Sequence, residues 1–292
     1  MKKQEIINFW KKLGICENNI LEILEKVTGL NNSQLFLSEQ IDDKFINRIE
    51  ELFSRAVSGE PIEYIIEKAE FYGIDFFVDS RVLVPRNDTE VMVEQVLEYI
   101  PENTILIDVW TWSSCIPISI LKNLNKLDES RITKTFAIDI SKKALEVAKI
   151  NIKKYNLEDK IKLINSDLLE KFELNTDIFY KNWNINLENL IITANLPYIK
   201  NWDYENMDKE TIEFEPDLAL YWWEKTGFEL YEKLIYQIFE LQSIYNIKKI
   251  ILFIEIWFDQ KKFAKNFLQK NNLKFEIFKD NWKIDRCIKI FF

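Results

Sequence analysis

Asn195, Leu196, Pro197 and Tyr198 put a side-chain amide, a main-chain carbonyl, a ring-constrained turn and an aromatic face in four consecutive positions. That grouping suits a planar NH2 as the reacting group. The Asn195 side-chain oxygen and the Leu196 carbonyl can each accept one of its hydrogens, and Tyr198 can wall the plane. An amide or ring-amino nitrogen is a poor nucleophile because its lone pair is delocalised, so holding it in line with an electrophile is what a protein can add. Orientation of this kind supplies roughly 7–11 kcal/mol in the best cases. The plain alternative is an Asn-x-Pro turn that merely closes a strand. Position favours chemistry, because the motif follows three earlier strand ends that also carry polar groups.

In an open α/β sheet, ligands bind outside the carboxyl ends of the strands. The first such end is Asp108-Val109-Trp110-Thr111-Trp112-Ser113-Ser114-Cys115. A strand-to-helix turn of this kind normally uses glycine for tight geometry and close ligand approach, yet two indoles stand here. The second end is Asp139, placed to accept hydrogen bonds from both ribose hydroxyls of a nucleoside cofactor. Taken alone, it reads equally well as a capping or surface acid. The third is Asn165-Ser166-Asp167-Leu168, where a polar group would meet an adenine amino group and Leu168 would cover the ring.

These ends need a sheet to align them. Short apolar runs at 104–109, 135–139, 161–165, 190–195, 249–256, 275–278 and 287–292 alternate with amphipathic stretches. Alternating βα units predict a mostly parallel sheet with helices on both faces. Ala144, Leu145, Ala148 and Ile152 mark one helix, with Ser141 as its N-cap, and Leu230, Leu234, Ile238 and Leu241 mark another. Ahead of the sheet, Ile20, Ile23, Leu24 and Val27 form a helical stripe. Phe45, Ile49, Leu52, Phe53 and Ala56 form a second, ended by Gly59. Residues 70–79 are aromatic and alternating, which predicts a hairpin. The expected organisation is a helical substrate-docking domain over 1–68, a β-hairpin linker over 69–89, and an α/β domain over 90–292.

Composition narrows the chemistry. The chain of 292 residues has no histidine, so catalysis through imidazole is excluded, and its three cysteines are far apart with no CxxC pair. No metal is expected. A net charge of -9 argues against a surface built to neutralise nucleic-acid phosphates. With no long apolar span and a charged N-terminus, the expected compartment is the cytosol and no membrane partner is expected.

Taken together, the residues resemble the PrmC/HemK family of protein-glutamine N5-methyltransferases, which act on the Gly-Gly-Gln loop of peptide-chain release factors. The likeness runs over nearly the whole chain: Pro61 to Ile65, Glu70 to Gly73, Val82 to Arg86 with Thr89-Glu90, the strand-one turn, Asn195 to Tyr198, Phe214-Glu215-Pro216 with Ala219-Leu220, and Glu255-Ile256 ahead of Phe258-Asp259-Gln260. It implies a class I, Rossmann-like methyltransferase domain of seven strands behind a small helical domain and a hairpin. It also implies S-adenosylmethionine as cofactor and a release factor as protein partner. Asn195, Pro197 and Tyr198 would be catalytic, and Asn195, Leu196, Pro197 and Tyr198 would hold the substrate glutamine. Asp108, Trp110, Thr111, Trp112, Ser113, Ser114, Asp139, Asp167, Leu168 and Asn195 would line the cofactor site. The family motif has proline where Leu196 stands, a small change because the main-chain carbonyl does the work.

The resemblance also places glycine at the positions of Trp110, Trp112, Trp222, Trp223 and Trp257, with Trp282 near another glycine-bearing loop. The chain has 5 glycines and 9 tryptophans, whereas glycine ordinarily makes up ~7% of residues. One explanation is a gene in which UGA means glycine, translated here as tryptophan at all nine positions. The other is that the indoles are literal, in which case they fill the cofactor's place and the chain is a noncatalytic binding module. Two sibling activities share the motif: methylation of a ribosomal-protein glutamine and adenine N6-methylation of nucleic acid. The second would require base flipping and a basic surface that this acidic chain lacks.

Overall fold

The computed structural model describes residues 2–124, 131–174, 188–198, 213–216, 226–245 and 247–292. The chain opens with five helices, α1 (Lys3–Lys12), α2 (Glu17–Thr28), α3 (Asn32–Leu37), α4 (Ile46–Val57) and α5 (Ile62–Ile66). The expected stripes form their core: Ile20, Ile23 and Leu24 of α2 and Ile49, Leu52 and Phe53 of α4 are buried together, with Val27, Phe45 and Ala56 at its margin. Trp10 of α1 stacks on Phe53 with ring centroids 4.8 Å apart.

A two-stranded antiparallel hairpin follows, β1 (Ala69–Phe71) and β2 (Ile74–Phe76). Tyr72 and Gly73 both take positive φ, 51° and 70°. Two such residues at a two-residue loop give the type I′ turn whose twist matches the strands.

The rest forms one seven-stranded sheet. After α6 (Glu90–Leu97) come β3 (Thr104–Val109), α7 (Cys115–Asn123), β4 (Ile132–Asp139), α8 (Lys142–Lys154), β5 (Ile161–Asn165), α9 (Glu170–Leu174) and β6 (Asn189–Ala194). Then follow α10 (Glu229–Tyr245), β7 (Lys249–Glu255), α11 (Lys261–Lys270), β8 (Lys274–Lys279) and β9 (Asp285–Phe291). The strand order is β5-β4-β3-β6-β7-β9-β8. Strands β5 to β7 in that order are parallel, while β9 runs antiparallel to both of its neighbours. All six residues of β3 are buried, which is why it reads as a continuous apolar run and not as an alternating one. β4 starts three residues earlier than the apolar run predicts, because Ile132 and Lys134, both only partly covered, pair with Thr104 and Ile105 across a register shift that leaves the exposed Thr133 between them. On α8 the buried face is Ala144, Val147, Ala148, Asn151 and Ile152, and Ser141 caps the helix by accepting the Ala144 N–H at 3.2 Å. Leu145, expected on that face, is only half-buried.

From β3 the chain winds outward through β4 to β5 and then returns to β6 on the other side of β3. Such a reversal opens a crevice between the first turns on either side of it. One buried side chain locks the hairpin to this crevice. Asn151 of α8 accepts from the Phe77 N–H at 2.7 Å and donates to the Phe77 carbonyl at 2.9 Å and to the Ser113 carbonyl at 3.0 Å.

Asn151→Ala strips these three main-chain groups, the Ser113 carbonyl buried and the two of Phe77 part-buried, of their partner. The expected loss of stability is roughly 1–3 kcal/mol, the cost of leaving a buried group unsatisfied, and a lowered urea midpoint with unchanged slope would register it.

Candidate active site

The crevice gathers the carboxyl ends of β3, β4, β6 and β7. The turn after β3 is tied to β4 by the Thr111 N–H donating to the Ile138 carbonyl at 2.8 Å. Asp139, at the end of β4, accepts the Trp112 main-chain N–H at 3.0 Å and the Ser141 N–H at 2.8 Å. The Trp112 indole N–H reaches across to the Asn195 carbonyl at 3.2 Å. Trp110 lies beside it with ring centroids 6.0 Å apart. Asp108 accepts the Thr193 hydroxyl of β6 at 2.6 Å, which joins the two strands flanking the reversal.

Asn195 directly follows β6, and its side chain enters a relay. Its Nδ2 donates to Thr89 Oγ1 at 3.2 Å, and the Thr89 hydroxyl donates to Glu255 Oε2 at 2.6 Å. In its ionised form Glu255 only accepts, and this sets the direction of the relay from its far end: Glu255 claims the Thr89 proton and leaves Thr89 to accept from an N–H. The Asn195 amide must therefore present its NH2 to Thr89 and turn its oxygen the other way. The same carboxylate accepts the Tyr198 hydroxyl on Oε1 at 2.9 Å. The Glu255 carbonyl accepts the Tyr231 hydroxyl at 2.5 Å, and that hydroxyl accepts the Leu196 N–H at 3.1 Å. Every residue from Asn195 to Tyr198 except Pro197 is thus hydrogen-bonded, directly or through one intermediary, to Glu255 at the end of β7.

The Tyr198 carbonyl receives Gln260 Nε2 at 3.3 Å. Gly227 presses against the same carbonyl so closely that a Cβ would lie 2.2 Å from its oxygen. With φ at 72°, no other residue type fits there.

Burial sets the electrostatics. Asp108 is fully buried and pushed up to about 7 by desolvation, against the opposing hydrogen bonds of Thr111 and Thr193. Burial likewise pushes Asp139 up to about 7, with the Ser141 and Trp112 N–H groups opposing. Glu255 is raised by burial and pulled back by the Thr89 and Tyr198 hydroxyls and the Arg286 charge. Burial and the neighbouring Glu255 hold the Tyr198 phenol well above its usual value, so it stays neutral and acts as a wall and not as a base.

Of the residues singled out in the sequence, Asp108, Trp110 to Ser114, Asp139 and Asn195 to Tyr198 meet in this crevice. Asp167 and Leu168 flank it on the β5 side, where Asn165 Nδ2 and the Ser166 N–H both bond the Asp139 carbonyl, at 3.0 and 3.1 Å. Asp167 Oδ2 accepts Lys233 Nζ at 2.7 Å, while its Oδ1 is buried without a hydrogen-bond partner. Leu168 is buried, with φ at 46°. Trp222, Trp223, Ala219 and Leu220 lie outside the described residues. Sequence reading assigned no role to Thr89, Tyr231, Gly227 or Gln260, and it quoted Glu255 without one. An acid inside the otherwise apolar run KIILFIEI was the one available signal. Glu215 accepts Arg86 Nη2 at 2.8 Å, which joins two of the motifs that carried the resemblance.

A Rossmann-like methyltransferase is the class that this sheet order and this crevice define. Residues 90–195 match a methyltransferase domain family and residues 16–66 match the PrmC N-terminal domain family. The release factor glutamine methyltransferase of Mycoplasma mycoides subsp. mycoides SC is 32% identical over 93% of this chain and 91% of its own length. The enzyme of the same name from Chlorobaculum tepidum is 28% identical over 90% of this chain and 86% of its own. By these matches the chain belongs to the release factor glutamine methyltransferase family. Among solved structures, the hMettl16 catalytic domain in complex with the MAT2A 3'UTR hairpin 1 shares the fold at a TM-score of 0.52 and 14% identity, covering 96% of this chain and 90% of that one. No helix among the described residues is long and apolar enough to cross a membrane. Among the same residues, no group of three or more His, Cys, Asp or Glu is placed to hold a metal ion.

The Asp108 carboxyl holds its proton up to about pH 7 in the fold, against an ordinary value of 3.8. The folded chain therefore binds more protons than the unfolded chain between those values, and stability falls as pH rises through that window. Asp108→Asn removes this dependence. Its melting temperature relative to the parent should climb between about pH 4 and pH 7 and level off above that window, whereas a constant difference would show that Asp108 does not titrate inside the fold.

Proposed function

We propose that the chain transfers a methyl group from S-adenosylmethionine to the side-chain amide nitrogen of a glutamine in a protein, namely the glutamine of the Gly-Gly-Gln motif of peptide-chain release factors. The observation that carries this reading is the fixed orientation of the Asn195 amide. With its NH2 committed to Thr89, its oxygen is left to accept from a substrate NH2. The Leu196 carbonyl takes the second hydrogen, and Tyr198, held by Glu255 at its hydroxyl and by Gln260 at its carbonyl, walls the amide plane. S-adenosylmethionine supplies the methyl group. The protein's part is orientation, which requires no imidazole, and the amide proton displaced by methylation leaves to solvent.

Asp139 is the acceptor proposed for the ribose hydroxyls. Asp167, whose Oδ1 is buried without a partner, is proposed for the adenine amino group, and Leu168 for the ring face. Asp108 and residues 110 to 114 complete the cofactor turn. The helical domain over 1–68 is proposed to dock the release factor, and α3 leaves Phe36 and Leu37 exposed there. A release factor as substrate supports a cytoplasmic location, and the net charge of -9 supports a protein partner over direct nucleic-acid binding.

With labelled S-adenosylmethionine, a chain carrying glycine at 110 and 112 is expected to label purified release factor and to leave a Gln→Ala release factor unlabelled. Label in the control, or label only in ribosomal protein, would defeat the assignment. Thr89→Val frees the Asn195 amide to rotate and should lower kcat by roughly 100-fold, the scale of a small misplacement of a reacting group. Cofactor affinity should hold, and Thr89→Ser, which keeps the hydroxyl, should restore the rate.

A further inference from the structure

The cofactor site and the residues written at positions 110 and 112 do not agree. Trp110 and Trp112 take φ of 66° and 51°. This left-handed region is rare for any residue with a Cβ and an outlier for bulky ones, while glycine enters it freely. Both indoles are buried in the crevice, at 2% and 5% exposure. The Trp112 ring runs from the turn beside Asp139 to the Asn195 carbonyl, across the span that a nucleoside cofactor held by Asp139 and delivered to Asn195 would need. Asp139 is left 1% exposed, with its carboxylate facing the Trp112 and Ser141 N–H groups and no open side for ribose. Trp110 Nε1 is buried without a hydrogen-bond partner, whereas a buried indole N–H usually finds one.

Trp10 is the opposite case. It lies within α1 beside the buried Ile6 and Ile7 and stacks on Phe53 at 4.8 Å and 19°. Its φ is not positive. Glycine there would weaken the helix and leave a ring-sized cavity between α1 and α4. Tryptophan is at home at position 10 and out of place at 110 and 112.

We infer that the functional protein carries glycine at positions 110 and 112 and tryptophan at position 10, so that the letter W in this sequence stands for two codons, UGA decoded as glycine at the turn and UGG decoded as tryptophan in α1. This narrows the reading in which all nine tryptophans are replaced. The inference rests on S-adenosylmethionine being the methyl donor and not on which protein is methylated. With glycine at both positions, the main-chain N–H of residue 112 still reaches Asp139, and the space of both indoles opens between Asp139 and Asn195.

The test is peptide mass spectrometry on the protein purified from its source organism, read against the codons of its gene. Glycine masses at 110 and 112 from UGA, with a tryptophan mass at 10 from UGG, are expected. Tryptophan at 110 or 112 overturns the inference, and glycine at 10 overturns the distinction drawn from packing. In parallel, calorimetry with S-adenosylhomocysteine on recombinant chains should show binding for the Trp110→Gly, Trp112→Gly variant and loss of binding for the chain as written. Equal binding by both would show that the indoles do not fill the site. Glycine in the native peptides together with no binding by the variant would instead count against the cofactor, independently of any assay on release factors.

Discussion

The carboxylate of Glu255 is the group on which the site depends. It is a charge-bearing side chain at the end of a strand buried from Ile250 onward, where donated hydrogen bonds and the Arg286 charge offset its desolvation. Thr89 and Tyr198 provide them, and each is thereby fixed in one orientation. Thr89 passes that constraint to Asn195, and the Glu255 main chain passes it through Tyr231 to Leu196. A four-residue loop that would otherwise be free to turn is held from several sides, and the direction of its amide follows from which groups can donate. Preorganisation of this kind is what methylation of a delocalised nitrogen requires, since the protein has no strong base to offer.

The same logic places the surrounding motifs. Arg86 and Thr89 find their partners far away in sequence: Glu215 for Arg86, Glu255 for Thr89. The hairpin before them is pinned by Asn151 to the Ser113 carbonyl of the opposite turn. The Thr89–Glu255 and Asn151–Ser113 links are buried, and the Arg86–Glu215 and Asn151–Phe77 links are part-buried. Breaking one exposes a desolvated partner, so the crevice holds its shape through the cost of leaving any member unpaired.

The turn after β3 shows what happens when a local rule is broken at such a place. Its backbone adopts the left-handed path that the fold demands, with Trp110, Trp112 and Ser114 all at positive φ. Because Trp10 obeys every local rule in its own helix, the conflict belongs to particular positions and not to tryptophan as such. Steric demand separates residues that composition alone treats as one group.

The apolar runs and helical stripes determined the fold class, because burial on both faces leaves unbroken hydrophobic strands and burial on one face leaves a 3.6-residue period. Asp139, Asn195 and Tyr198 were legible because strand ends are marked by where an apolar run stops. The start of β4 was not legible, because Ile132 and Lys134 are held by main-chain pairing that imposes no side-chain pattern. Strand order was likewise silent in the sequence, since each run is compatible with several neighbours. Thr89, Tyr231 and the role of Glu255 emerged only from the tertiary structure. Glu255 lies 166 residues from Thr89 and 57 from Tyr198, and a hydrogen bond between groups so far apart leaves no periodic trace in the chain. The sequence by itself determined which residue types could do the chemistry, and the sheet's reversal at β3 and β6 decided which of them face one another.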